Sequence, residues 1–175
     1  MTTNITSINE VDLIGLSELV ERFGADPSEA VVSFMARSRW TGGIESATEV
    51  RHHPPVVVDE PENLGGHDVA PNPVEYVLIA FGSCLTVGYA AVASVRGIEL
   101  RSLEIEIEGI LDLRVFLGLV DGHAGYERIE VTACVESDAS AEELEALHQA
   151  VVATSPVGHT LQNPVELVTR LVKAG

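Results

Sequence analysis

Apolar and polar positions divide this chain into stretches of different period. Between Tyr76 and Val95 no residue is charged, a run long enough to cross a bilayer as a single helix. Its strongly apolar residues are few (Leu78, Ile79, Phe81, Leu85), set among Gly, Ala, Ser, Thr, Val, Tyr and Cys. That composition suits close packing against protein better than contact with lipid, so the run is read as a buried core helix. Asn72 makes a good N-cap, and Pro73 sits at the first helical position, where its missing N–H costs nothing. Glu75, three residues after Asn72, completes a capping box, and Gly97 supplies the stop.

The flanking patterns are shorter. Val11, Leu13, Ile14, Leu16, Leu19 and Val20 recur at roughly helical spacing, which predicts a helix over Asn9 to Phe23 with Gly24 as its stop. Val31 to Trp40 and Ala47 to His53 suit two strands joined by a Thr41-Gly42-Gly43 turn. Pro54 and Pro55 break the second run, Val56 to Val58 forms a third strand, and Glu62 to Pro71 is a Gly-rich loop. Beyond the central helix, Leu103, Ile105 and Ile107 alternate with Glu104, Glu106 and Glu108. Ile129, Val131, Ala133 and Val135 alternate with Glu130, Thr132, Cys134 and Glu136. Both are half-solvated strands of an antiparallel sheet. Ser140 caps a helix through Ala153, with Glu143 completing the box, and Val165 to Val172 is expected as a last strand.

This order predicts an α+β fold, antiparallel sheets around a long buried central helix, rather than a βαβ arrangement. A helix apolar on every side needs more cover than one small sheet provides, which implies a second subunit. No internal repeat or linker divides the chain, and residues 1–30 read as a helical extension ahead of one domain over 31–175.

Composition narrows the partners. The 175 residues are 46% apolar, ample for a sizeable core, and the net charge is −17, from 27 acidic against ten basic side chains. Such a field repels nucleic acid and anionic membrane surfaces. No basic residue precedes Arg22 and no apolar run of signal-peptide type appears at the start, so the expected location is cytoplasmic. There both cysteines, Cys84 and Cys134, would stay reduced.

Five pieces then carry a resemblance: Glu60-Pro61-Glu62-Asn63-Leu64-Gly65-Gly66; Asn72-Pro73-Val74-Glu75-Tyr76-Val77-Leu78; Gly82-Ser83-Cys84-Leu85; Arg96-Gly97-Ile98; and Ser155-Pro156-Val157-Gly158-His159-Thr160-Leu161. In this order and spacing, from about Val31 to the C-terminus, the chain resembles the OsmC/Ohr family of osmotically inducible and organic hydroperoxide resistance proteins. The resemblance implies an OsmC-like domain over 31–175 and an intertwined homodimer, with two central helices buried between sheets built from both chains. It also implies a stress-response peroxidase that reduces organic hydroperoxides with two cysteines. The first, at the position of Cys84, attacks the peroxide as a thiolate and becomes a sulfenic acid. The second, just before the Pro-Val of the C-terminal motif, condenses with it to a disulfide. An arginine activates the first thiol, and a glutamate at the helix start orients the arginine.

The sequence departs from that pattern in three of these four parts. Ser155 occupies the second cysteine's position and cannot form a disulfide. The glutamate's position, ten residues before Cys84, holds Val74. Glu75, nine before, falls half a turn from Cys84 and is read as a helix cap. The two places where relatives carry the arginine hold Ile44 and Asp59, leaving Arg37, Arg39 and Arg51 as candidate thiolate stabilisers.

Cys84 is open to two readings, a small residue filling a close helix contact or a nucleophile. It lies about eleven residues into the helix, beyond the reach of the helix dipole, so activation needs a cation from a strand or from the other subunit. Cys134 shares a strand face with carboxylates and reads as an incidental surface thiol. His52 and His53, adjacent in a predicted strand, point to opposite faces and cannot share a metal without a bulge. His159, in the C-terminal motif, is a candidate base toward Cys84, beside the plain reading of a solvated loop histidine. No zinc spacing, phosphate loop or Ser/His/Asp signature appears, so no metal or cofactor is expected.

Two functions from different classes stand. In one, the protein is a one-cysteine thiol-dependent peroxidase: Cys84 reduces a hydrophobic hydroperoxide, and an external small thiol or dithiol restores it. In the other, the fold is kept without peroxidase activity, and either an apolar pocket at the dimer interface binds a hydrophobic small molecule or Cys84 serves another thiol reaction.

Overall fold

The computed structural model describes residues 7–173 and Gly175. Two short strands, β1 (Ser7–Ile8) and β2 (Val11–Asp12), pair antiparallel. They meet at Asn9 and Glu10, both left-handed (φ 52° and 61°), a conformation Asn tolerates well. The Asn9 side chain reaches across the chain. Its Nδ2 donates to Ser94 Oγ at 3.0 Å and to Ile98 O at 2.9 Å, and its Oδ1 accepts from Leu100 N at 2.8 Å. Helix α1 (Leu13–Ala25) follows, capped by Asp12 through the N–H groups of Ile14 and Gly15. It starts four residues later than the spacing predicts, because Asn9 to Asp12 are held in the hairpin, and it runs through Gly24 to end at Asp26.

A three-stranded antiparallel sheet comprises β3 (Arg37–Gly42), β4 (Glu45–Glu49) and β5 (Val56–Val58), in that spatial order. Both longer strands are shorter than predicted. Val31 to Ala36 pairs with no strand among the described residues, and β4 ends at Glu49, just before Arg51 turns left-handed (φ 52°). His52 and His53 therefore lie in a turn, not a strand, and their rings sit 4.5 Å apart between centroids instead of on opposite faces.

The chain then passes through a loop organised by the fully buried Asp59. Its Oδ1 accepts from Glu60 N at 2.9 Å, and its Oδ2 accepts from His67 N at 2.9 Å and Val69 N at 3.3 Å. The loop closes so tightly that a Cβ at Gly66 would fall 1.7 Å from Glu60 O.

The central helix, α2 (Pro73–Val95), begins as the sequence predicts. Asn72 Oδ1 accepts from Glu75 N at 2.9 Å and Glu75 Oε2 accepts from Asn72 N at 2.8 Å. Gly97 (φ 74°) ends it in the left-handed region. By length and composition α2 could cross a membrane. One side of it instead packs on protein: Leu85, Tyr89 and Ala93 join Leu147, Val151 and Ile98 in the buried core. The opposite side is open in the single chain, with Ile79, Ala80, Ser83, Thr86 and Val87 exposed and none of them charged.

Strands β6 (Leu100–Leu111) and β7 (Tyr126–Ser137) form a long antiparallel ribbon beneath α2. Their alternation puts Leu103, Ile105, Val131, Ala133 and Val135 against the core. A single turn of helix, α3 (Leu113–Phe116), lies between them. Helix α4 (Ala141–Thr154) carries the predicted Ser140/Glu143 capping box. Helix α5 (Pro156–Gln162) follows directly, where no element was predicted. Residues Val165 to Val172 are not a strand. They form no ladder with any described residue, and Leu167 and Leu171 are 85% and 100% exposed.

Candidate active site

The turn between α4 and α5 positions the C-terminal motif against the middle of α2. Ser155 ends α4 and caps α5, its Oγ accepting from Gly158 N at 3.1 Å, with Pro156 at the first helical position. This buried hydroxyl lies 3.3 Å from Cys84 Sγ. Ser155 Oγ keeps its own proton to donate, so whenever Cys84 is deprotonated the serine is the donor and the thiolate the acceptor. Cys84 is half-buried, and Cys134 is exposed on β7 opposite Glu104.

The other candidates are dispersed. Among the described residues no arginine or lysine makes a hydrogen bond or ion pair with Cys84. Arg39, exposed on β3, is paired with Glu49. Arg51 contacts His53 Nε2 at 3.0 Å. Arg37 and Arg51 border a cavity of about 390 Å³ with Phe34 and Met35, at the end of the three-stranded sheet. His159 points its Nε2 at the Ala153 carbonyl, 2.9 Å away, as the donor of that bond. Glu75 is occupied by the helix cap. No group of three or more His, Cys, Asp or Glu side chains converges in metal-binding geometry among the described residues.

Sequence reasoning passed over a second polar pair. The hydroxyl of the buried Tyr89 on α2 is hydrogen-bonded to Nδ1 of His148 on α4. Burial, with the Glu145 carboxylate as a lesser cause, pushes the Tyr89 phenol above its ordinary value, so it stays protonated. The signal was present in α4, where Leu144, Leu147, His148 and Val151 form one i, i+3, i+4, i+7 stripe and put a histidine on the core face. His148 lines a cavity of about 400 Å³ between β7, α2, α4 and α5, together with Phe81 and Leu85 of α2, one turn before Cys84 and the residue after it. Gly158 joins the two sites. It lines the cavity, and a Cβ there would stand 3.1 Å from Ser155 Oγ and 3.2 Å from Phe81 Cε2.

Comparison with known proteins agrees with this architecture. The family model described as OsmC-like protein matches residues 65–170. No curated protein matches the chain. Among solved structures, an OsmC-like protein from Mycoplasma pneumoniae superposes with a TM-score of 0.65 at 16% identity, over 75% of this chain and 88% of that one. An organic hydroperoxide resistance protein from Legionella pneumophila gives 0.57 at 19% identity, over 75% and 90%. The organic hydroperoxide resistance protein of Bacillus subtilis gives 0.51 at 18% identity, over 75% and 91%. The chain thus has the OsmC-like fold.

Proposed function

We propose, from the premise that this chain belongs to the OsmC family, that it is a one-cysteine thiol-dependent peroxidase acting on hydrophobic organic hydroperoxides. The observation that carries this reading is the 3.3 Å contact between Cys84 Sγ and Ser155 Oγ. A thiol stands on the central helix directly against the C-terminal motif, and the residue there is a serine. Two of the structures that share the fold are named for organic hydroperoxide resistance.

In the reaction, the Cys84 thiolate attacks one oxygen of the hydroperoxide. The S–O bond forms as the O–O bond breaks, the departing alkoxide takes a proton to become the alcohol, and Cys84 is left as a sulfenic acid. Ser155 has no thiol to condense with it. An external thiol attacks the sulfur, releases water and leaves a mixed disulfide, and a second thiol, or the other arm of a dithiol, restores Cys84 as a disulfide departs.

The cation that such a thiolate needs comes from a second copy of the chain in this reading. The uncharged exposed face of α2, the unpaired apolar segment Val31 to Ala36 and the exposed segment Val165 to Val172 all want cover that a homodimer would supply. The dimer would set the three-stranded sheet of one copy, with Arg37, Arg39 and Arg51, over α2 of the other. Light scattering at low micromolar concentration should give twice the chain mass, and a folded monomer overturns this arrangement. The cytoplasm, with its reducing thiols, is the compartment such a cycle requires.

The deciding experiment is consumption of cumene hydroperoxide in the presence of dithiothreitol. Wild type should turn over, Cys84→Ser should not, and Cys134→Ser should match wild type. Equal activity in wild type and Cys84→Ser refutes the mechanism. The second reading, a ligand-binding protein without peroxidase activity, is favoured because no arginine or lysine among the described residues bonds Cys84, and wild type that consumes no peroxide would leave it as the standing reading.

A further inference from the structure

We propose that the cavity bounded by β7, α2, α4 and α5 is a binding site for an uncharged, mainly apolar small molecule bearing a hydrogen-bond acceptor, which the Nε2–H of His148 holds. Cys84 does not line this cavity, so the site does not depend on the peroxidase reading. It also lies within one chain rather than between two.

The tautomer of His148 follows from Tyr89. The Tyr89 hydroxyl is buried, and His148 Nδ1 is its only hydrogen-bond partner among the described residues. A buried O–H without an acceptor is costly, so the tyrosine donates and Nδ1 accepts. The neutral ring then carries its proton on Nε2. That nitrogen has no partner among the described residues, while the ring lines the cavity. A buried tyrosine thereby leaves Nε2–H as the ring's one unpartnered donor, on a residue that lines the cavity.

The remaining wall specifies the rest of the ligand. Phe81, Leu85, Val131, Val152 and Leu161 offer apolar surface, and about 400 Å³ is within the range of small-molecule sites. Arg128 also lines the cavity, but its guanidinium pairs with Glu130 at the surface, and the acidic Glu127 lines the cavity too. With a net charge of −17 around it, the site offers an anion no free cation, and an uncharged acceptor such as a ketone, ester or ether suits it better.

The test uses the full chain and Prodan, a neutral naphthalene ketone whose emission moves to the blue in apolar surroundings. Titration should give a saturable blue shift at one probe per chain. Val152→Trp, at a partly exposed position, should fill the cavity and abolish binding. His148→Phe keeps the ring and removes the donor, so it should weaken binding about five- to tenfold, as for the loss of one hydrogen bond. Absence of saturable binding, binding that survives Val152→Trp, or unchanged affinity in His148→Phe each overturns the proposal. A measurement on the wild type decides the matter should a variant fail to fold. The imidazole nitrogen resonances of His148 should report the Nε2–H tautomer and shift on saturation with Prodan, and an Nδ1–H tautomer overturns the proposal.

Discussion

Cys84 and Ser155 stand 71 residues apart in sequence, yet Sγ and Oγ are 3.3 Å apart. The turn between α4 and α5 holds the serine by a second bond from Gly158 N, so the two side chains face each other by construction rather than by a mobile loop.

From that relationship, Ser155→Cys should create a peroxide-induced intrachain disulfide with Cys84, since the new sulfur would start close to the bonding distance and on a buried, ordered turn. Wild type under one equivalent of hydroperoxide should instead yield a dimedone adduct on Cys84, and excess peroxide should carry it to the sulfinic acid unless a thiol is supplied. Intact mass and peptide mapping distinguish these products. A Cys84–Cys134 bridge in wild type would contradict the placement of Cys134 on the solvent face of β7.

The capping box at the start of α2 sets a second expectation. Asn72→Ala removes the acceptor of Glu75 N and should cost about 1 kcal/mol in chemical unfolding at fixed protein concentration. Glu75→Gln can still accept from Asn72 N, so it should lower stability less than Asn72→Ala and leave peroxide consumption unchanged. A marked loss of turnover in Glu75→Gln would mean that this carboxylate orients a catalytic arginine after all.

Two glycines should respond in opposite directions to the same change. At Gly66 an added Cβ would overlap the Glu60 carbonyl at 1.7 Å, a backbone group that cannot swing aside, so Gly66→Ala should destabilise by roughly 3 kcal/mol or more. At Gly24, inside α1, nothing lies within 4 Å of that Cβ, and Gly24→Ala should stabilise by about 0.5–1 kcal/mol through the entropy of the unfolded chain. Urea midpoints of the two variants against wild type check both signs.

Asp59 should give a pH signature. Burial disfavours its charge, but the backbone donors His67 N, Val69 N and Glu60 N, helped by the charge of His67, outweigh burial and hold its pKa below the ordinary carboxylate value. A folded-state pKa below the unfolded one contributes stability in full above the unfolded value, near 4, and loses it as pH falls through the folded value. Asp59→Asn should therefore unfold at lower urea than wild type at pH 7, and the gap should narrow as the pH is taken below about 4. A gap that widens on acidification would show that the carboxylate is not the stabilising form.

Elements set by near neighbours were legible in the sequence. The Asn72, Pro73 and Glu75 start of α2, the Ser140 and Glu143 start of α4, and the alternation of β6 and β7 each depend on residues within one turn or one strand, and each appears where the pattern placed it. The family resemblance likewise carried the fold. Ser155-Pro156 also held the local signal for α5, an N-cap followed by proline, though it was read only as part of a motif. What the sequence did not decide depends on partners distant along the chain. Val165 to Val172 has the composition of a strand, but a strand exists only when an edge is present to bond it, and it forms no ladder with any described residue. His52 and His53 were assigned opposite faces by a period-two rule that Arg51 breaks by turning left-handed. The side chains of Arg37, Arg39 and Arg51 are long, and charge alone did not show that Glu49 and His53 would take two of them. The meeting of Tyr89 with His148, 59 residues on, was equally hidden, because a buried hydroxyl takes whichever acceptor the packing of two helices brings within reach, and only the tertiary structure sets that packing.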